Sequence, residues 1–343
     1  MSKSPAVYVQ TNDGTENEIV AYARADDGTL SPLGRHATGG RGTGKPHLPS
    51  QNSLVLTEDG RYLLVANAGS DDVSVFAVEA SGLHMSDRAP SGGTTPTSIA
   101  VHGSLVYVLN AGAKANISGF VLERDGTLTA LAGSTRPLST DDADPAQIAF
   151  GPGGALLVVT ERGTNSISAY TVDDRGYAEG PSTIASAGAT PYGFDFTPDG
   201  ALVVTEAFGG EAGAAAASSY AIEGDELAPV SGSVRDTRSE VCWAVVTKDG
   251  RFAYVTNFGD GTISSYGIGA GGSLELLEPV AASTRLGEPG IRDEALTRDG
   301  RFLYAIDADA RRVFGWTIGA DGTLEPVGEF EGVPATVAGI ATS

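Results

Sequence analysis

Basic side chains are scarce in this chain: 22 Lys and Arg stand against 43 Asp and Glu, for a formal charge of −21 and a pI near 4.4. No basic face is left to neutralise duplex phosphates or an anionic bilayer, so neither nucleic acid nor a membrane is expected as a partner. Cysteine is almost absent. With Cys242 alone, neither a disulfide framework nor a multi-thiolate zinc site is available. The four histidines, His36, His47, His84 and His102, show no metal-ligand spacing, and the chain is expected to need no metal and no cofactor. Long apolar runs are missing as well: none reaches about 18 residues, and the N-terminal stretch lacks the apolar centre of a signal peptide. A soluble, cytoplasmic chain is the expectation, although one whose export signal had been trimmed would read the same.

What is abundant is punctuation. Among the 343 residues, 47 Gly and 17 Pro separate short β-branched and aromatic runs, which points to an all-β chain. One unit recurs seven times, an apolar strand ending in a polar residue and a turn. Its copies are VYVQTNDG (7–14), YLLVANAG (62–69), LVYVLNAG (105–112), LLVVTERG (156–163), LVVTEAFG (202–209), FAYVTNFG (252–259) and FLYAIDAD (302–309). They lie 43 to 55 residues apart and fill the chain, so a single domain spanning 1–343 is expected. A second column follows each copy and alternates toward an aromatic: Tyr22, Phe76, Phe120, Tyr170, Tyr220, Tyr266 and Trp316. Period two is the mark of a half-buried strand.

A third column precedes the first, from SLVLT (53–57) to AGIAT (338–342), and its last copy has no chain after it. The sequence thus begins at the second strand of a repeat and ends on a first strand. The fold read from this offset is a seven-bladed β-propeller of four-stranded blades, closed by N- and C-terminal strands that share one blade. The Ala-rich GGEAGAAAASS (209–219) is read as an extended loop.

In a propeller the first strand of each blade lines a central channel, and the loops entering it meet at one mouth, where a site is expected. Those loops carry His47, Gln51, Gln147, Tyr192, Glu240, Cys242, Trp243, Arg292, Asp293 and Glu294. His47 is the histidine placed to exchange protons, or else a solvated loop side chain. Arg292 can anchor a carboxylate bidentately, or be neutralised by Asp293 and Glu294. Cys242 is a nucleophile only with a base beside it, and otherwise packs. A ring of polar residues ends the second strands: Asn12, Asn67, Asn110, Glu161, Glu206, Asn257 and Asp307. These either face a ligand or start turns through their own backbone. Glutamate is the poorer turn former, which makes Glu161 and Glu206 stand out as a substrate contact and a general base.

The phrases LTEDGRYLLVANAGSDDVSVF (56–76), FTPDGALVVTEAF (196–208), VTKDGRFAYVTNFGDGTISSY (246–266) and LTRDGRFLYAIDAD (296–309) resemble the seven-bladed lactonase family. That family includes propeller-type 6-phosphogluconolactonases and 3-carboxy-cis,cis-muconate lactonizing enzymes. The resemblance implies a mouth cluster of a histidine, a glutamate and arginines. Where it implies a Cys-His pair, this chain has Pro145 and Ala146; where it implies Arg-His, it has Tyr192 and Gly193. The implied glutamate falls at Ala207 and an arginine at Phe258, while Arg292 matches. Two functions follow as expectations. One is hydrolysis or cycloisomerisation of a small lactone of low charge, with Glu206, His47 and Arg292 catalytic. Gln51, Gln147, Tyr192, Trp243, Asn257, Glu294, Asn67, Asn110 and Glu161 would then bind substrate. The other is a non-catalytic propeller that binds a small ligand or a protein on its mouth face.

Overall fold

The computed structural model describes residues 4–46, 48–49, 51–224 and 226–343. Their strands form seven antiparallel sheets, which in six blades run from an inner strand outward in chain sequence. The inner strands are Ile340–Thr342 (blade 1), Leu54–Leu56 (blade 2), Pro96–His102 (blade 3), Pro145–Phe150 (blade 4), Pro191–Phe196 (blade 5), Val241–Val246 (blade 6) and Ile291–Leu296 (blade 7). Blade 1 is closed by both ends of the chain, with Ile340–Thr342 paired to Ala6–Gln10. The chain is therefore a seven-bladed β-propeller. In blade 3 the outer strand is split into Leu128–Ala130 and Arg136–Pro137, both on Asn116–Leu122.

A Thr-x-Asp-Gly turn returns the inner strand of blades 2, 5, 6 and 7 to the second strand. Its threonine hydroxyl donates to its aspartate, as from Thr57 to Asp59 and from Thr297 to Asp299 at 2.8 and 2.6 Å. Neighbouring blades interlock through Asp-Gly turns. The ring of Phe302 in blade 7 lies where a Cβ on Gly28 of blade 1 would stand, 2.4 Å away, and Gly28 has φ +86°. Only glycine satisfies both conditions. The aromatic column is buried in the interfaces between sheets, whereas outer strands such as Leu30–Ala37 and Leu324–Glu331 are mostly exposed beyond a buried first residue.

The Ala-rich segment departs from the loop reading. After a short 3₁₀ turn at Phe208–Gly210, Ala216–Glu223 is the third strand of blade 5, and Ala215 to Ala217 are wholly buried. Small side chains there let the sheets of blades 5 and 6 approach closely, and packing overrides propensity.

Candidate functional site

The mouth is shaped by β-bulges. In blades 5, 6 and 7 the pairing of inner with second strand slips between Pro191 and Phe194, Val241 and Ala244, and Ile291 and Glu294. Each slip lets two residues oppose one, which bends the strand and re-aims side chains where the chain enters the ring. The residues so displaced are Tyr192, Gly193, Cys242, Trp243, Arg292 and Asp293. Left-handed residues immediately before the strands, Thr190 at φ +58° and Glu240 at +54°, sharpen the same turn.

Tyr192, Cys242 and Trp243 pack together with Ala146, Ala207 and Phe258. The rings of Tyr192 and Trp243 meet edge to face, 4.8 Å between centroids. Two arginines lie on this aromatic floor. The guanidinium of Arg292 stacks 4.0 Å over Phe258, and that of Arg162 sits 4.8 Å over Tyr192 while donating to its hydroxyl at 3.1 Å. Arg162 is steadied by Asp144, 2.6 Å away. Burial dominates the protonation of this cluster. It pushes the Cys242 thiol up to about 12, against the pull of Arg292 and Arg162, and raises the Tyr192 phenol. The thiol is thus held neutral, donating to the Glu240 carbonyl at 3.4 Å, which is packing and not nucleophile chemistry.

Several expected site residues are spent on the framework. Gln51 of blade 2 reaches across the ring to blade 6, where its amide donates to the Ala244 carbonyl at 2.8 Å and accepts from the Ala244 N–H at 3.2 Å. Its carboxamide oxygen lies 2.5 Å from where a Cβ on Gly193 would stand, so the side chain implied by the resemblance at that position has no room here. Gln147 joins blade 4 to blade 5 in the same two-handed manner, through the Phe194 N–H and carbonyl at 2.7 and 2.9 Å.

The polar ring does not face the channel either. Glu206 is fully buried and accepts from Ser218 at 2.5 Å, Gly188 N–H and Ser233 at 2.7 Å, and Ser186 at 3.4 Å. Glu161 accepts from Ser168, Thr164 and both the N–H and hydroxyl of Ser139. Asn67 bonds Asp72, Ser74, Asn17 and Thr38; Asn110 bonds Ser91 and Asn116; Asn257 bonds Thr262 and Ser264. Each ties the end of a second strand to the third strand or to the loops packed beside it. The expected general base, Glu206, is therefore a structural acceptor, its lone pairs committed to donors within blade 5. His47 lies outside the described residues.

Deeper in the ring are three carboxyls, of which Asp293 and Glu294 are buried and Asp195 is half-buried. Asp195 accepts from the Val246 N–H and Asp293 from the Ile340 N–H, each bridging to the following blade. Burial pushes Asp195 up to about 6 and Asp293 to about 8. Glu294 is held well above the usual carboxylate range, by burial and then by both neighbouring acids. Among the described residues no group of His, Cys, Asp and Glu is arranged to hold a metal ion.

Arg162 was not foreseen. It stands one place beyond the polar ring, in the column that also holds Asp13, Ala207 and Phe258, and a basic residue in a column otherwise without one was the available signal.

The family model for the seven-bladed β-propeller lactonases matches residues 16–137, 114–208 and 207–338. The chain belongs to this lactonase family. No curated protein matches it. Among solved structures it is similar to a protein from Lactobacillus plantarum (TM-score 0.79, 18% identity, 100% of both chains). It is also similar to a candidate 6-phosphogluconolactonase from Bacteroides uniformis (0.77, 19%, 100% of both). A third is the periplasmic gluconolactonase of Pseudomonas aeruginosa (0.76, 17%, 98% of both). At these identities the likeness is one of fold. In this lactonase-family propeller, positions at which the resemblance implied a histidine, a glutamate and two arginines do converge, as Ala146, Ala207, Tyr192 and Phe258, with Arg292 stacked on the last.

Proposed function

We propose that this lactonase-family propeller opens a small lactone that carries one carboxylate and an apolar flank, at the mouth between blades 4 and 7. The observation that carries the reading is the pair of arginines lying on an aromatic floor. A guanidinium stacked on a ring is fixed in orientation and turns its positive charge toward a carboxylate or a developing oxyanion. With a formal charge of −21 and so few basic groups at the mouth, a dianionic phosphosugar is disfavoured.

Glu240 is the carboxylate assigned as general base. It is half-buried, its charge bears on the Cys242 thiol together with those of Arg292 and Arg162, and its left-handed backbone stores strain. A water gives a proton to Glu240 as its oxygen attacks the lactone carbonyl, and Arg292 stabilises the oxyanion. The ring C–O bond then breaks, and the alkoxide takes the proton back from Glu240. The product is the open hydroxy acid.

A non-catalytic ligand-binding propeller is the second reading, favoured by the commitment of Glu206 to its own blade. A pH-stat screen of neutral and carboxylated lactones with 6-phosphogluconolactone separates the two. Hydrolysis of a carboxylated lactone that falls about 100-fold or more in Arg292→Ala and Glu240→Gln supports the enzyme. No acid release from any lactone, with carboxylated lactones still binding in calorimetry, supports the binding propeller.

A further inference from the structure

We propose that Glu294 is a pH-operated wedge between blades 6 and 7, seated while it is neutral and loosening their inner strands when it ionises. The register of the blades carries this. On the inner strands of blades 2 to 6 the residues aligned with Glu294 are Leu54, Ile99, Ile148, Phe194 and Ala244, paired opposite Val65, Val108, Val159, Val204 and Val255. All five are apolar and buried. Blade 7 differs from these five in placing a carboxylic acid there, opposite Ala305. Directly paired residues share a sheet face, and Ala305 belongs to the apolar cluster that joins blades 6 and 7 through Val245, Tyr254, Ile291 and Leu303.

Glu294 is 2% exposed, and among the described residues neither of its carboxyl oxygens has a hydrogen-bond partner. The titratable groups that reach it are Asp293 on its own strand, Asp195 from blade 5 and Tyr254 from blade 6. None is a cation. Of the other groups on strands beside it, Tyr304 donates to the Gly28 carbonyl and Asp307 accepts from Thr284 and the Ala310 N–H. Cys242 and Arg292 belong to the mouth cluster. An ionised Glu294 would be a buried charge without compensation, so the packed interface requires the proton.

Opening the interface hydrates the carboxyl and releases that proton. Above the ordinary carboxyl range, the open fraction therefore rises about tenfold per pH unit for each proton released. The consequence reaches the mouth, because Arg292 lies on the same bulge and Cys242 on the facing strand of blade 6.

The sole cysteine supplies the reporter. The rate at which a small disulfide reagent labels Cys242 in the full chain, normalised at each pH to a free-thiol peptide, is measured from pH 5.5 to 8.5. The expected log rate rises with pH in the native sequence, and its slope falls by about one in both Glu294→Gln and Glu294→Leu. Asp293→Asn accounts for any slope that remains. Circular dichroism checks that each variant folds, and the leucine variant, matching the residue at this position in blade 2, carries the test where glutamine does not fold. A flat native profile, or a slope that Glu294→Leu leaves unchanged, overturns the proposal.

Discussion

Replacing Glu206 distinguishes a framework residue from a catalytic one. Its carboxylate takes three bonds of 2.5 to 2.7 Å from Ser218, Gly188 N–H and Ser233, and a longer one from Ser186. In Glu206→Ala the three close donors lose their acceptor inside a buried site, at about 1–2 kcal/mol each, for a total of roughly 3–6 kcal/mol. With an unfolding entropy near 2.1 cal/mol/K per residue, 343 residues convert 1 kcal/mol into about 1.4 °C, so the melting temperature falls by about 4–8 °C. Glu206→Gln keeps the shape but brings an NH₂ against hydroxyls that already donate, and is expected to lose about half as much. Thermal and urea unfolding give the stability, and initial rates well below the melting temperature give kcat. The reasoning is refuted if Glu206→Gln abolishes turnover of a substrate that the native protein accepts while its melting temperature stays within about 1 °C.

Stability should fall as pH rises through neutrality. Asp195 and Asp236 are pushed by burial to about 6 and Asp293 to about 8, so the folded state keeps protons that the unfolded chain gives up near pH 4. Their contribution is complete below pH 4 and is lost as pH climbs through 6 and 8, with a slope of about 1.4 kcal/mol per pH unit for each group still protonated. Urea unfolding from pH 4 to 9 in about 0.5 M salt, which screens the acidic surface, measures it, and a stability that climbs from pH 5 to 8 would contradict the assignment. Gln51→Ala should cost about 2–4 kcal/mol, because both Ala244 backbone groups lose their partner and a void opens in the ring. A loss under about 0.5 kcal/mol by urea titration would mean that the bridge carries no weight.

The blades were legible because a propeller repeats its unit, and seven copies of one strand and turn admit few other arrangements. Closure was legible in the offset between first and last repeat. The site was less so. Recurrence places Glu206 and Asn257 at the end of a strand but is silent on whether the side chain turns to the channel or to the next strand. Gln51 and Gln147 were read as substrate contacts, and the sequence could not show that a carboxamide there can pair with a strand of another blade as backbone does. Arg162 escaped notice because attention fell on the polar column beside it, and the bulges that bring Tyr192 and Arg292 together leave no mark in hydrophobic periodicity. The Ala-rich strand of blade 5 was hidden by composition, since its alanines are there to be small.

The bridge from Gln51 to Ala244 also governs traffic. A side chain strung from blade 2 to blade 6 crosses the ring at that level, and on the proposed reading a lactone that reaches the aromatic floor leaves by the doorway it came through. Incoming and outgoing molecules then contend for one vestibule. A ring-opened product bearing a carboxylate would compete directly with the next molecule of substrate for the same two guanidiniums.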